Sequence, residues 1–143
     1  MSFGHEKLDV YQLSISYVAW VYKTAIGLAG IHRHARDQWL RASQSIPLNI
    51  AEGNGKSTLA DRRRYFEIAR GSALECAAIQ DVLMVGEALD MEASRKHKIE
   101  LDRIAAMLTR LGGRGYSVNE DVRSYGKVCF DTDSDSDTDS DTK

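Results

Sequence analysis

Polar and charged side chains recur in residues 41–52 at the spacing of one helix face, and this stretch holds the groups best suited to chemistry. They are Arg41, Ser45, Asn49 and Glu52. Steps of three and four residues place such side chains on one side of a helix. A second stretch, residues 70–75, adds another arginine, serine and glutamate. Glu52 and Glu75 could then act as a general acid and base.

The other parts of such an active site are missing from the sequence. Neither glutamate has a nucleophile or a metal-ligand set beside it. His32 and His34 are two residues apart, and they lack the further ligands that a metal site needs. We therefore predict that the protein is not an enzyme, with no catalytic, cofactor-binding or metal-binding residue. The alternative hypothesis is that the protein is an uncharacterised enzyme. Its active site would then be the polar cluster Arg41, Asn49, Glu52, Arg70 and Glu75.

A structural role explains the same polar residues without catalysis. Pro47 lies inside the stripe, where it removes a backbone donor and should kink or split a helix. Hydroxyl and amide side chains can satisfy the backbone groups that a proline leaves unpaired. We therefore predict a polar network that joins two helices, within a subunit or across subunits. Its predicted members are Arg41, Ser45, Pro47, Asn49, Glu52, Arg70, Ser72 and Glu75.

Basic residues concentrate in a short arginine run near the middle of the chain. Three consecutive arginines point around roughly 200° of a helix, so they do not make one flat patch. They could contact phosphate together with basic residues elsewhere, or they could only pair within the protein. The candidate nucleic-acid contacts are Arg33, Arg36, Lys56, Arg62, Arg63 and Arg64. Gly55 and Lys56 do not form a P-loop, because the glycine required at position 50 is Ile50.

The composition is that of one small globular domain with an acidic tail. The chain has 143 residues, of which 43% are hydrophobic and 28% charged. Residues 1–130 contain 15 acidic and 18 basic residues, whereas residues 131–143 contain six aspartates and one lysine. We predict a helical bundle in residues 1–112, a poorly ordered connection in 113–130 and a disordered Asp/Ser/Thr tail in 131–143.

The location expected from the sequence is the cytoplasm. The apolar stretch 13–22 is only ten residues long, whereas a membrane-spanning helix needs about 20. Two cysteines, Cys76 and Cys129, are too few for a disulfide scaffold and suit a reducing compartment. We therefore expect no membrane partner.

Four helical segments account for most of the chain. Their expected ranges are about 8–29, 35–53, 59–89 and 91–111. Thr58 and Asp90 are suited to cap the third and fourth helices, and a glycine in the loop 53–56 should end the second in the left-handed conformation. No stretch alternates with period two for long enough to make a strand. The predicted fold class is all-α, an up-down-up-down four-helix bundle.

The apolar rows predict which helix faces are buried. On the first helix the row is Leu8, Tyr11, Ile15, Val18, Tyr22 and Ala25. On the second it is Trp39, Ala42, Ile46 and Ile50, and on the fourth it is Leu101, Ile104, Leu108 and Leu111. The third helix is apolar on two sides, with one row of Phe66, Ala69, Ala73 and Cys76 and another of Ile68, Ile79, Val82 and Leu89. A bundle needs one apolar stripe per helix, so we expect the surplus on the first and third helices to be buried between subunits.

Two motifs resemble one protein family closely. They are Arg41-Ala-Ser-Gln-Ser-Ile-Pro-Leu-Asn-Ile-Ala-Glu-Gly53 and Phe66-Glu-Ile-Ala-Arg-Gly-Ser-Ala-Leu-Glu75. Both are similar to the bacterial four-helix-bundle family named for 23S rRNA intervening sequences, over about residues 8–112. The resemblance implies a left-handed four-helix bundle that assembles into a ring-shaped homopentamer, with no established enzymatic activity. Related accessory proteins of diversity-generating retroelements are similar in fold and bind nucleic acid and a reverse transcriptase.

Three hypotheses for function follow from the residues and the resemblance together. The first is a non-enzymatic homo-oligomeric scaffold that binds RNA or a protein–RNA complex. The second is a protein–protein adaptor without a nucleic-acid role, in which the basic residues only form pairs within the molecule. The third is the uncharacterised enzyme. Affinity for RNA that falls steeply with salt would separate the first two.

Overall fold

Four α-helices make up the computed structural model, which describes residues 2–112. They are α1 Asp9–Ala25, α2 Arg33–Asn54, α3 Leu59–Val85 and α4 Met91–Leu111. Short 3₁₀ turns, Gly4–Lys7 and Gly30–His32, precede α1 and α2. Residues 2–112 contain no strand. The predicted connection in 113–130, the predicted tail in 131–143 and Cys129 lie outside the described residues.

The helices pack as the four corners of a bundle. α2 contacts α1 and α3, and α4 likewise contacts α3 and α1. Successive helices are antiparallel, because the start of α3 meets the end of α2 where Arg62 donates to the Asn54 carbonyl. Arg63 similarly reaches the carbonyl of Gly112, just beyond the end of α4. The predicted all-α, up-down-up-down four-helix bundle is therefore confirmed.

Side-chain caps set the starts of α3 and α4 as predicted. Thr58 Oγ1 accepts a hydrogen bond from the Asp61 amide over 3.2 Å, and Asp90 Oδ2 accepts one from the Ala93 amide over 2.9 Å. The observed bounds of α4 equal the predicted ones. α3 ends at Val85 rather than near residue 89, because Glu87 takes a left-handed φ of 59° and turns the chain. α1 also ends four residues earlier than predicted.

α2 differs from its prediction at two points. The helix continues through the buried Pro47 and is not split there. The predicted left-handed glycine cap is wrong, since Gly53 is still helical and Gly55 has a right-handed φ of −86°. Gly53 serves close packing instead, because a Cβ there would lie 2.9 Å from side-chain atoms of both Tyr65 and Phe66.

The core contains most of the predicted apolar rows. All four residues of the α2 arc are buried, as is the first α3 row; these are Trp39, Ala42, Ile46, Ile50, Phe66, Ala69, Ala73 and Cys76. On α4, Leu101, Ile104 and Leu108 are buried, while Leu111 is partly exposed. In the second α3 row, Ile79 is buried but Ile68 and Val82 face outward.

α1 buries a different face from the one predicted. Its buried residues are Val10, Ser14, Tyr17, Val21 and Ala25. Of the predicted row, only Ala25 is buried, and Ile15 and Tyr22 are exposed. Both faces of α1 carry apolar residues at helical spacing, so periodicity alone does not choose between them. On the buried face, the Ser14 hydroxyl donates to a carbonyl of α1 itself, and the Tyr17 hydroxyl donates to Gln80 on α3.

Candidate functional site

The serine–asparagine part of the predicted network bridges α2 and α3. Ser72 Oγ donates to Ser45 Oγ over 2.8 Å. The Asn49 side-chain amide donates to the same hydroxyl over 2.9 Å and to the Ser45 carbonyl over 2.8 Å. Ser45 and Asn49 flank Pro47, so these bonds lie in the helical turns that a proline loosens. The arrangement fastens α2 to α3 at its irregular point.

The charged members of the motif are not brought into this bridge. Arg41, Glu52 and Glu75 are exposed. Glu52 instead pairs with Lys56 one turn later, with 3.1 Å between Oε2 and Nζ. That hydrogen bond raises the pKa of Lys56. An exposed carboxylate in a surface ion pair lacks the desolvated setting of a general acid or base, so the geometry does not support the catalytic hypothesis for Glu52.

Arg70 lies apart from the bridge and is more enclosed than the other motif charges. Its Nε is buried and has no hydrogen-bond partner within the described residues. Burial lowers the pKa of this guanidinium. On α3, Arg70 and Ser72 are two positions apart, so their side chains point about 200° away from each other. Within the described residues, hydrogen bonds therefore join only three members of the predicted network, with Asn49 and Ser72 each bonded to Ser45.

The predicted nucleic-acid residues are divided between the two ends of the bundle. Arg33 is the first residue of α2, and Lys56 follows the helix end at Asn54. A helix of 22 residues separates these ends by about 30 Å. The arginine run lies with Lys56, because α3 begins at Leu59. Arg33 and Arg36 therefore do not share a surface with the other four residues.

Most of these basic groups have partners within the protein. Arg36 Nη1 donates to the Leu28 carbonyl over 3.1 Å, and its Nε lies 3.0 Å from Asp37 Oδ1. Arg63 Nε donates to the Gly112 carbonyl over 2.8 Å, which ties the start of α3 to the end of α4. Such contacts give these arginines a structural role beyond that of a solvated surface charge.

At the α2–α3 end of the bundle, three cations contact aromatic rings. Lys56 Nζ lies 5.1 Å from the ring centre of Tyr65, and the Arg64 guanidinium lies 5.2 Å from that ring. The Arg62 guanidinium lies 5.7 Å from the ring centre of Phe66 and donates to the Asn54 carbonyl. Cation–π contacts of this kind are worth about 0.5–1 kcal/mol when exposed. They position the charges along the α2–α3 connection.

A buried hydrogen-bond chain that joins all four helices was missed by the sequence analysis. Trp39 Nε1 donates to the Tyr17 hydroxyl over 3.1 Å, and that hydroxyl donates to Gln80 Oε1 over 2.5 Å. The Gln80 amide then donates to the carbonyl and hydroxyl of Ser94, each over 3.1 Å. The sequence signal for this chain was the presence of two polar residues, Gln80 and Ser94, at core-facing helix positions. This chain fixes the helices relative to one another and offers no opening for a substrate.

A half-buried aromatic stack joins α1 to α4. The rings of Trp20 and His97 are stacked with centroids 3.7 Å apart. His97 Nδ1 lies 2.8 Å from Glu100 Oε1, and the His97 side chain is 13% exposed. His97 is thus a packing residue, and residues 2–112 contain no group of three or more side chains that could hold a metal ion.

The remaining surface of residues 2–112 includes two grooves. Within residues 2–112 no helix is both long and apolar enough to cross a membrane. One groove of about 440 Å³ is lined by Lys7, Asp9 and Arg110 together with apolar residues. Another of about 540 Å³ lies between α3 and α4, and the Lys98–Asp81 ion pair lines it. Neither groove contains the polar motif.

Comparison with known proteins places the bundle in a family. No curated protein matches the chain. A crystal structure of a protein of unknown function from the S23 ribosomal protein family of Bacteroides thetaiotaomicron is similar in fold, with a TM-score of 0.68 and 21% identity. The match covers 73% of this chain and 95% of that one. The model of the 23S rRNA-intervening sequence protein family matches residues 6–110, so the chain belongs to that family.

Proposed function

We propose that the protein is a non-enzymatic scaffold that assembles with copies of itself and binds RNA or a protein–RNA complex. The observation that carries the assembly is the pair of apolar faces that α1 and α3 turn to solvent. The α1 face consists of Ile15, Ala19, Tyr22 and Ile26, and the α3 face of Ile68, Leu74, Ala78, Val82 and Val85. Ile26 is 86% and Val85 85% exposed.

The positions of these faces favour a head-to-tail contact. α1 and α3 occupy opposite corners of the bundle, since each packs against α2 and α4. An interface between the α1 face of one copy and the α3 face of the next uses two different surfaces, which generates a ring when the rotation closes. Burial of apolar side chains would supply the driving force, at about 25 cal/mol per Å². The family resemblance supports five subunits in that ring.

The RNA part of the proposal is supported by the family name and by the cations at the α2–α3 end. The adaptor without a nucleic-acid role is the second candidate, because Arg36, Lys56 and Arg63 already have partners within the protein. The exposed positions of Glu52 and Glu75 support a non-enzymatic role.

Light scattering on two single variants tests the assembly. Ile26→Asp places a charge in the α1 face, and Val82→Asp places one in the α3 face. In a head-to-tail ring each variant alone should be monomeric, because every joint then contains a damaged face. A mixture of the two variants should form dimers and stop there, since only one intact pair of faces remains.

Leu48→Asp is the matched control, because Leu48 is 66% exposed on α2 and lies on neither face. It should leave the assembled mass unchanged. A wild-type mass of 15.9 kDa at micromolar concentration would defeat the assembly proposal. If only one of the two face variants affected the mass, a symmetric dimer would replace the ring.

A further inference from the structure

The outward side of α4 carries a row of exposed cations that runs along most of the helix. Its members are Lys96, Arg103 and Arg110, spaced seven residues apart. They lie opposite the buried Leu101, Ile104 and Leu108. From Lys96 to Arg110 the row spans about 21 Å at 1.5 Å per residue.

Within residues 2–112, no carboxylate forms an ion pair with this row. Between Lys96 and Arg110, α4 has two acids. Glu100 is turned toward His97, which leaves Asp102 as the exposed one. Glu92 lies in the first turn, where it interacts with the helix dipole.

The row also extends beyond α4 and remains accessible in the proposed assembly. Arg110, Lys7 and Asp9 line the same groove, so a further cation, with one carboxylate beside it, continues the row toward the start of α1. α4 contacts α1 and α3 along its flanks, and its outward side belongs to neither apolar face. Pairing of those faces between copies would therefore leave the α4 cations open to a partner.

We propose that this row on α4 binds the phosphodiester backbone of nucleic acid. The inference rests on the RNA-binding part of the proposed function and assigns it to residues that the sequence analysis did not select. Long cationic side chains that have no ion-pair partner within residues 2–112 can each contact a phosphate and release a counterion. The row has the charge and the length for several such contacts, whereas Arg36, Lys56 and Arg63 are held by groups of the protein itself.

Fluorescence anisotropy with labelled nucleic acid of about 20 nucleotides tests the assignment. The full-length chain is titrated with an RNA hairpin, a single-stranded RNA and a DNA duplex, which distinguishes the sources of the phosphate backbone. The variant Lys96→Gln/Arg103→Gln/Arg110→Gln should raise the Kd for the preferred probe at least about tenfold. It should also reduce the slope of log affinity against log salt by about 2–3, since each lost contact contributes about 0.7–0.9.

Two control variants separate local contacts from net charge and from folding. Lys23→Gln/Arg41→Gln/Lys98→Gln removes three cations outside the row and should change the Kd less than about threefold. Lys96→Arg/Arg103→Lys/Arg110→Lys keeps the charges and should bind like the wild type. Light scattering on the same samples reports assembly independently of binding.

Three results would overturn the assignment. One is an equal loss of affinity in the two neutralised variants, and another is a wild type that binds none of the three probes. The third requires vesicles of anionic lipid as an additional probe: if the neutralised α4 variant lost vesicle binding but kept its affinity for nucleic acid, α4 would be a membrane-facing helix. If the protein assembles as proposed but fails these binding tests, the scaffold proposal stands and the assignment of nucleic-acid binding to α4 is wrong.

Discussion

The Tyr17 hydroxyl lies between Trp39 Nε1 and Gln80 Oε1, at 3.1 Å and 2.5 Å, and so connects α1 to both α2 and α3. Tyr17 and Trp39 are completely buried, as is Gln80. Buried donors and acceptors are costly when they lose a partner, because no water replaces it. The relationship therefore makes the centre of this bundle specific for one arrangement of its helices.

Tyr17→Phe should lower the free energy of unfolding by about 1–3 kcal/mol, because it leaves Trp39 Nε1 and Gln80 Oε1 unpaired in the core. Urea denaturation monitored by circular dichroism measures the change. The matched control is Tyr22→Phe on the same helix, where the exposed hydroxyl accepts a hydrogen bond from the Gln44 amide. That control should stay within about 0.5 kcal/mol. Equal effects of the two substitutions would contradict a special role for the buried chain.

Stability should decrease above about pH 9 because two buried groups resist ionisation in the folded protein. Burial raises the pKa of the Cys76 thiol to about 12, and burial also raises the pKa of Tyr17. Both groups ionise at lower pH in the unfolded chain. Their contribution to the free energy of unfolding is therefore complete below the pKa values of the unfolded chain, and it is lost as the pH rises toward the pKa values of the folded protein.

Between about pH 9 and 10.5 the two groups together should lower the free energy of unfolding by about 2 kcal/mol. Urea titrations at several pH values measure this slope. Cys76→Ala removes one of the two contributions, so its stability should depend less steeply on pH than that of the wild type. A wild-type stability that is constant from pH 8 to 10.5 would refute the expectation.

Asn49→Ala and Glu52→Ala should differ, although the sequence analysis placed both residues in one structural network. Asn49 donates two hydrogen bonds to Ser45 beside Pro47, so its loss should cost about 1–3 kcal/mol. Glu52 is exposed and pairs with Lys56, so its loss should stay within about 0.5 kcal/mol. Thermal melts of both variants check this. If Asn49→Ala folds and assembles normally while a binding activity disappears, the motif is a functional site instead.

Glu87→Gly should stabilise the protein by about 1 kcal/mol or less. Glu87 has a left-handed φ of 59° at the end of α3, where the Ala88 amide donates back to the Leu83 carbonyl over 2.8 Å. Glycine takes this conformation without the Cβ strain that other residues have. The midpoint of thermal unfolding should rise accordingly. Glu87→Ala is the control, because it removes the charge but keeps the Cβ, and it should not reproduce the gain.

Several local features could be predicted because short stretches of sequence determine them. Thr58 and Asp90 cap the helices that follow them, and the α4 bounds agree with the prediction. The buried arc of α2 and the first row of α3 were also recognisable from their spacing. In each case the relevant forces act within one or two helical turns, so neighbouring residues are enough to specify the result.

The tertiary structure decided which of two similar apolar faces of α1 is buried. On α1, the row through Ile15 and Tyr22 and the row through Tyr17 and Val21 have the same helical spacing. Tyr17 is inside because Trp39 and Gln80 on other helices satisfy its hydroxyl, whereas Tyr22 reaches only the exposed Gln44 contact. Such partners are distant in sequence and become neighbours only when the bundle forms.

For the charged residues too, the sequence determines some properties and the tertiary structure determines others. Their identities and the net charge are present in the sequence, and so is the spacing of Lys96, Arg103 and Arg110 along α4. That Arg63 is held by the carbonyl of Gly112, 49 residues away, depends on the antiparallel packing of α3 and α4. Side-chain type thus sets which interactions are possible, while packing between helices decides which cations have a partner within residues 2–112 and which have none there.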